Sequence, residues 1–281
     1  RNFDLVIGNT ILCWRLLPVL SRFTRAFLYA HETSLVEEIG RAEPGFGPAL
    51  AAADGVWAGS ERAAAALRRF AIDPVVLEYG VEPTALQPVN IRRDEIVIAT
   101  LATVEPRKGQ DLAVKAFPLL PPALRDRCRL RLYGRPHDLP FAAAITDIAR
   151  PEPRIEIGGE LDFDGYRAAL AAADIVLCPS RDDTLPVVSL DALAAGKILV
   201  VSQEVGTSAY LEDGVSGFVL PRNHPEDIAE TLSRIAAARI RWPEIGQAAQ
   251  RVFREHFSTG RFAGRLLGLL EPLLSQEEAA D

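Results

Sequence analysis

The chain has 281 residues, of which 48% are hydrophobic and 25% charged, an ordinary globular composition that suffices for two α/β domains or one large one. Its formal net charge of −7 argues against a general binder of nucleic-acid phosphates, so no nucleic-acid partner is expected. Cys13, Cys128 and Cys178 lie far apart in apolar contexts, which excludes a CxxC-type zinc site and favours buried thiols in a reducing, cytoplasmic compartment.

Short apolar runs alternate along the chain with helix-length segments. In chain order, we predict strands at 4–8, 26–30, 55–59, 75–78, 96–102, 129–133, 154–157, 174–179, 198–202 and 217–220. The helix-like segments between them include 61–70, 110–119, 163–172 and 186–195. This alternation is typical of parallel, doubly wound sheets, and runs such as DIVLCPS indicate strands that are covered on both faces.

A polar, proline-containing stretch at 86–95 interrupts the alternation, and we place the hinge between two domains there. We expect a small Rossmann-like domain of about four strands at 1–90 and a complete one at 91–258. Residues 259–281 have helical periodicity followed by an acidic tail, and we expect this helix to cross back to the N-terminal domain.

Arg107 and Lys108 occupy a turn between a predicted strand and a predicted helix. Helix N-termini bind anions through free amides and the positive end of the dipole. A neighbouring lysine or arginine adds charge-assisted hydrogen bonds. The turn is therefore a candidate diphosphate site, and a solvated basic turn ahead of a surface helix is an equally common alternative.

A second candidate site follows the strand at 174–179. Asp183 lies in the loop and Asp191 lies two turns into the next helix, where carboxylates would accept hydrogen bonds from sugar or ribose hydroxyls. Ligands of open α/β sheets bind at this edge. A capping acid and an ordinary helix acid are the alternative, but an aspartate on so apolar a helix requires a reason.

Both candidate sites lie within a series of five segments that can be compared with known families: EPRKGQDL…AF, LRLYGRP, YRAALAAADIVLCPS, DDTLPVVSLDALAAGK and LEDGVSGFVLP. In their order and spacing the chain resembles the retaining glycosyltransferases of family 4, or group 1, and among them the branch that builds bacterial surface polysaccharides and related glycans. The resemblance covers residues 4–238 and is densest over 96–221. It implies an α/β fold of two Rossmann-like, doubly wound parallel-sheet domains, the GT-B architecture, with the acceptor on 1–90 and the nucleotide-sugar donor on 91–258.

The resemblance also implies roles for single residues. Lys108 would bind the donor diphosphate, Asp183 would meet the hydroxyls of the transferred sugar, and Asp191 would meet the ribose. His31, in AFLYAHETS, would reach beside the transferred sugar; a surface histidine at a strand end is its alternative. The backbone at the helix start would touch the phosphate, at Pro186, Val187 and Val188. No metal or cofactor is expected, because fixed cations and helix dipoles stabilise the leaving diphosphate.

The chain departs from the family pattern at several positions. The family's paired glutamates are both aspartates here, each shorter by one methylene. Thr103 stands where many members carry a second phosphate-binding arginine, and we expect Arg107 to substitute for it. A helix-start glutamate is replaced by Ala209. The family's opening strand and glycine-rich loop have no counterpart before Arg1, and the sequence contains no methionine. We therefore expect an incomplete N-terminal domain, with a further polypeptide supplying the rest.

The sequence thus predicts an enzyme that transfers a hexosyl or deoxyhexosyl group from a nucleoside-diphosphate sugar to a glycan or lipid-linked acceptor with retention. A cytoplasmic location, with peripheral contact at the inner membrane face, would suit a lipid-linked acceptor, although no basic amphipathic helix is evident. A degenerate, non-catalytic module that binds a nucleotide and supports a partner is the alternative. A sugar-nucleotide epimerase would require acid–base groups from both domains, and only His31 is available in the first.

Overall fold

The computed structural model describes residues 3–83 and 94–278, with side chains up to residue 272. The chain forms two compact units, one of Arg1–Gly80 with His256–Asp281 and one of Val81–Glu255. The hinge predicted at 86–95 falls almost entirely on residues outside the described ranges. No helix in the described ranges combines the length and the apolar character needed to cross a membrane.

The first unit is built on a four-stranded parallel sheet. Its strands, in spatial order, are β1 (Leu5–Gly8), β2 (Arg25–Ala30), β3 (Gly55–Ala58) and β4 (Val75–Val76). The connections contain α1 (Leu17–Leu20), α2 (Ser34–Ala42), α3 (Phe46–Ala51) and α4 (Glu61–Arg68). Each parallel pairing requires such a crossover, because the chain must return to the same end of the sheet.

The second unit is built on a six-stranded parallel sheet. Its strands are β5 (Ile96–Leu101), β6 (Cys128–Tyr133), β7 (Ile155–Gly159), β8 (Ile175–Cys178), β9 (Ile198–Ser202) and β10 (Phe218–Leu220), in the spatial order β10-β9-β8-β5-β6-β7. The strand order reverses between β5 and β8. This switch point opens a crevice at the carboxyl ends of the two strands.

Helices cover both faces of the second sheet, and a last helix returns to the first unit. The helices of the second unit are α5 (Gln110–Ala116), α6 (Pro122–Arg125), α7 (Leu139–Ala149), α8 (Phe163–Ala172), α9 (Val187–Ala194), α10 (Pro225–Ala237) and α11 (Trp242–His256). The final helix, α12 (Thr259–Glu278), packs within the first unit, where its Phe262 and Leu266 cover Tyr29 and Trp57.

Strand β2 shows why every residue after its first position, Arg25, is apolar. Leu28 packs into a cluster with the helices on one face of the sheet. Its neighbours Phe27 and Tyr29 point to the other face and pack with Trp57 and α12. Successive side chains of a strand alternate between faces, so a sheet that is covered on both sides needs apolar residues at every position.

The predicted doubly wound α/β fold is confirmed. All ten predicted strands are present, with ends shifted by at most two residues. The helix predicted at 110–119 is α only to Ala116 and continues as a 3-10 turn over Phe117–Leu119. Pro118 explains the change, because proline lacks the N–H that an α-helix requires there.

Candidate functional site

A cavity of about 340 Å³ lies at the switch point of the second sheet. We call it the first cavity. It is lined by the ends of β5 and β8, by the loop that follows each strand, and by the start of α9. Two of the predicted site residues, Lys108 and Asp183, come from different loops and meet on its wall.

Lys108 and Asp183 form a largely buried ion pair. The Lys108 ammonium donates to Oδ2 of Asp183 at 2.6 Å, and the two side chains are 13% and 11% exposed. The Ser180 hydroxyl donates to the same oxygen at 3.3 Å, and Nη1 of Arg107 lies 3.8 Å from the other. The pair therefore places a cation and an anion side by side on the wall of the first cavity.

Gly109 allows the two loops to approach closely. It ends the 3-10 turn Pro106–Lys108 with a φ of 70° and precedes α5. A Cβ atom at this position would clash with the carbonyl oxygen of Pro179, the first residue after β8. Only glycine combines that backbone conformation with that contact, so it fixes Lys108 against the loop of Asp183.

The start of α9 forms another part of the wall. Pro186 caps the helix and Val187 begins it. The amides of Val187 and Val188 have no acceptor within the helix, as in the first turn of every α-helix. Together with the positive end of the helix dipole, they can bind an anion. Pro186, Val187 and Val188 line the first cavity, and their contact with phosphate stays a prediction.

Asp191 lies behind this wall. It is 6% exposed, and the hydroxyl of Tyr166 in α8 donates to its Oδ2 at 2.5 Å. Burial raises the pKa of the Asp191 carboxyl, and the hydrogen bond from Tyr166 acts in the opposite direction. Sequence reasoning did not single out Tyr166, although it begins one of the segments that carry the family resemblance.

A second cavity, of about 410 Å³, adjoins the first. The two share residues 101–103 and Tyr166 in their linings. The second is lined further by Tyr133, Leu161 and the turn after β6 at Gly134. An elongated ligand could therefore extend from one cavity to the other past Tyr166.

Thr103 and Arg107 differ in their placement. Thr103 lines both cavities, and its hydroxyl lies 3.3 Å from Oε1 of Glu105. Arg107 is bonded to Glu105 at 2.7 Å and to the carbonyl of Asp182 at 3.0 Å, and neither cavity includes it among the described lining residues. The substitution of Arg107 for a family arginine stays a prediction.

His31 lies in the first unit, just after β2, on a cavity of about 430 Å³. Its Nε2 is 2.9 Å from Oδ1 of Asn9, and its ring is 4.1 Å from that of Tyr29. Burial lowers the pKa of His31, while Glu32 acts in the opposite direction. A neutral imidazole suits contacts with uncharged hydroxyls, and the catalytic role of His31 stays a prediction.

The described residues contain no group of three or more His, Cys, Asp or Glu side chains placed to hold a metal ion.

Residues 81–252, more than half of the chain, match the family model described as glycosyl transferases group 1.

Two curated relatives are D-inositol 3-phosphate glycosyltransferases. That of Kribbella flavida is 29% identical over 195 residues, which cover 63% of this chain and 44% of the relative. That of Saccharomonospora viridis is 30% identical over 207 residues, covering 68% and 46%. The chain thus spans less than half the length of the curated relatives it matches.

Solved structures resemble nearly the whole chain. HepE of Anabaena, determined in complex with UDP and glucose, has a TM-score of 0.82 at 17% identity and covers 96% of this chain and 78% of its own. A sucrose-phosphate synthase from Thermosynechococcus elongatus has a TM-score of 0.82 at 18% identity, covering 98% and 74%. At 17% and 18% identity, the similarity concerns the fold alone.

Proposed function

Because the chain belongs to the group 1 family of glycosyl transferases, we propose that it transfers a hexosyl or deoxyhexosyl group from a nucleoside-diphosphate sugar to an acceptor hydroxyl, with retention at the anomeric carbon. The observation that carries the proposal is the Lys108–Asp183 pair on the wall of the first cavity, beside the start of α9. The two parallel sheets support it, and the second of them reverses its strand order at β5 and β8.

When the donor binds, its diphosphate would replace the Asp183 carboxylate as the partner of the Lys108 ammonium. Lys108 and the amides of Val187 and Val188 would bind the phosphate oxygens and stabilise the charge that develops as the diphosphate leaves. Asp183 would then exchange its ammonium partner for hydroxyl groups of the transferred sugar. The ion pair of the ligand-free chain keeps both charges satisfied until that exchange occurs.

The nucleoside would occupy the second cavity. Tyr133 and Leu161 offer aromatic and apolar surface for a base, and the two cavities together can take a ligand with a sugar at one end and a base at the other. The UDP bound to HepE makes UDP the first nucleotide to test.

Retention is proposed to follow front-face attack, in which the leaving phosphate assists deprotonation of the acceptor. Asp183 suits the positioning of hydroxyls better than nucleophilic attack, because the Ser180 hydroxyl still donates to one of its oxygens after Lys108 has moved to the diphosphate. We propose the cavity of His31 as the acceptor site, for a glycan or a lipid-linked glycan. The name of the curated relatives adds D-inositol 3-phosphate as an acceptor to test.

The first experiment is thermal unfolding with UDP, GDP and ADP and their sugar derivatives. Ligand at about 100 times its Kd raises the stability of the folded state by about 2.7 kcal/mol. At least one diphosphate should stabilise the wild type and a Lys115→Ala control, which loses a lysine from the exposed side of α5. Lys108→Ala should lose most of that effect.

Sugar transfer is measured with the donor that binds. A product that keeps the anomeric configuration of the donor supports retention, and an inverted product contradicts it. Failure of every nucleotide to stabilise the wild type would refute the proposed donor site.

A further inference from the structure

Tyr166, and not Asp191, forms the surface where the two cavities meet. Of the described residues, four line both cavities, and Tyr166 is the one among them with a phenol. Asp191 is in neither lining and is 6% exposed. The family resemblance assigns the ribose to residue 191, but in this chain a tyrosine stands in front of that carboxylate.

The hydrogen bond between the two side chains has a fixed direction. The phenol hydroxyl donates to Oδ2 of Asp191 at 2.5 Å, and it is the only donor to this carboxylate among the residues that the structure describes. Burial and the bond to Asp191 raise the pKa of Tyr166, so the phenol keeps its proton and directs it to the carboxylate. The lone pairs of the phenol oxygen remain able to accept a hydrogen bond.

We propose that Tyr166 contacts the ribose of the donor nucleotide, with its phenol oxygen accepting a hydrogen bond from a ribose hydroxyl. Asp191 acts through it, as a positioning residue that fixes the orientation of the phenol. The inference rests on the proposed function, since it places the ribose between a diphosphate in the first cavity and a base in the second.

The shorter acid at position 191 fits this arrangement. An aspartate on α9 ends one methylene short of a glutamate, and the phenol from α8 extends its reach into the shared part of the two cavities. The hydrogen bond that Tyr166 donates to the Asp191 side chain polarises the phenol hydroxyl. The polarised phenol oxygen is therefore a better acceptor for the ribose.

The test compares nucleotides that differ in a single ribose hydroxyl. Binding of UDP, GDP and ADP, and of their 2′-deoxy and 3′-deoxy counterparts, is measured by calorimetry on the wild type, Tyr166→Phe and Asp191→Asn. We expect the wild type to bind the ribonucleotide about tenfold more tightly than one of its deoxy counterparts. Tyr166→Phe should weaken ribonucleotide binding to the affinity that the wild type has for the deoxynucleotide. Its own affinity for the deoxynucleotide should stay within about twofold of the wild-type value.

Tyr210→Phe and Asp191→Asn distinguish a direct contact of Tyr166 with the ribose from the support that Asp191 gives to Tyr166. Tyr210→Phe removes a phenol from the same unit but from neither cavity, and it should keep the full discrimination. Asp191→Asn should lose most of it, because the amide can donate to the phenol oxygen and compete with the ribose. A purely structural role of Tyr166 would lower the unfolding temperature without changing the ratio of the two affinities.

The outcomes distinguish the two proposals. If no diphosphate binds the wild type, the proposed function is overturned and this inference with it. If a diphosphate binds but the wild type binds ribonucleotides and deoxynucleotides equally well, only this inference is overturned. The same holds if Tyr166→Phe prefers the ribonucleotide as strongly as the wild type does. Full discrimination in Asp191→Asn would overturn the positioning role of Asp191.

Discussion

Replacement of Lys108 by methionine removes the ammonium group from Asp183 and keeps most of the side-chain volume. Removal of one partner from a fully buried ion pair costs about 3–5 kcal/mol, because the other charge is left unpaired. Here Asp183 keeps the Ser180 hydroxyl at 3.3 Å and Arg107 at 3.8 Å, and both members of the pair are slightly exposed. We therefore expect Lys108→Met to lower the free energy of unfolding by about 2 kcal/mol.

Scanning calorimetry of the ligand-free protein measures this loss. For a unit of this size, 1 kcal/mol corresponds to about 2–4 °C in Tm, so the transition of the second unit should fall by about 4–8 °C. Lys115→Met is the matched control, since Lys115 pairs with Asp111 at 3.2 Å along α5 but is 48% exposed. Such a surface pair contributes at most about 0.5 kcal/mol, and the control should shift Tm by no more than about 2 °C.

A second substitution tests whether Arg107 supports Asp183 once Lys108 has been removed. In the Lys108→Met background, Arg107→Met removes the remaining cation near Asp183 and should lower Tm further, whereas in the wild type it should have little effect. If Lys108→Met lowers Tm no more than Lys115→Met, the loss of Lys108 leaves Asp183 with no unpaired-charge penalty and the reasoning is refuted.

Three other predictions follow from the structure. Since burial lowers the pKa of His31 below 6.5, the unfolded chain binds more protons than the folded one between the two pKa values, and the stability of the first unit should rise with pH across that interval. Urea unfolding between about pH 5 and 7.5 should show this slope in the wild type and a flatter one in His31→Gln, and a slope of opposite sign would contradict the assignment. Gly134→Ala should destabilise the second unit by about 2–3 kcal/mol and weaken nucleotide binding, because the added Cβ would clash with the carbonyl of Ala102. The control is Gly214→Ala, where φ is also positive but the space around the Cβ is open; thermal unfolding should show a loss of about 1 kcal/mol there. Burial raises the pKa of Cys128 to about 11 and that of Cys178 to about 12, so neither thiol should react with a maleimide at pH 8 in the folded protein, and rapid labelling of Cys178 would show that the first cavity opens.

The architecture could be predicted because its signals are local and repeated. Residues 175–178 and 198–201 are apolar at every position, as strands covered on both faces require. The 3-10 end of the helix at 110–119 also has a local cause, in Pro118, that the sequence displays. Strand order, by contrast, depends on which helix packs on which face, and the positions of β5 and β8 beside each other emerge only in the folded sheet.

The site could be predicted in part. Lys108 and Asp183 each follow a predicted strand, which places both at the carboxyl edge of a parallel sheet. Their meeting depends on β5 lying beside β8, which only the folded sheet shows. The bond from Tyr166 to Asp191 could not be predicted, because it joins two helices at positions that no short motif relates. Its only trace in the sequence was the aspartate on an apolar helix, which indicated that a partner existed without identifying it.

The turn at Gly134 has a consequence for redesign of the site. There the main chain after β6 contacts the main chain at Ala102, with no side chain between them. Substitution of side chains cannot reshape a surface made of two abutting backbones, so this part of the second cavity should remain constant through mutagenesis. Libraries meant to change the accepted nucleotide should therefore vary Tyr133, Leu161 and Tyr166, whose side chains line the adjoining walls, and leave the glycine turn intact.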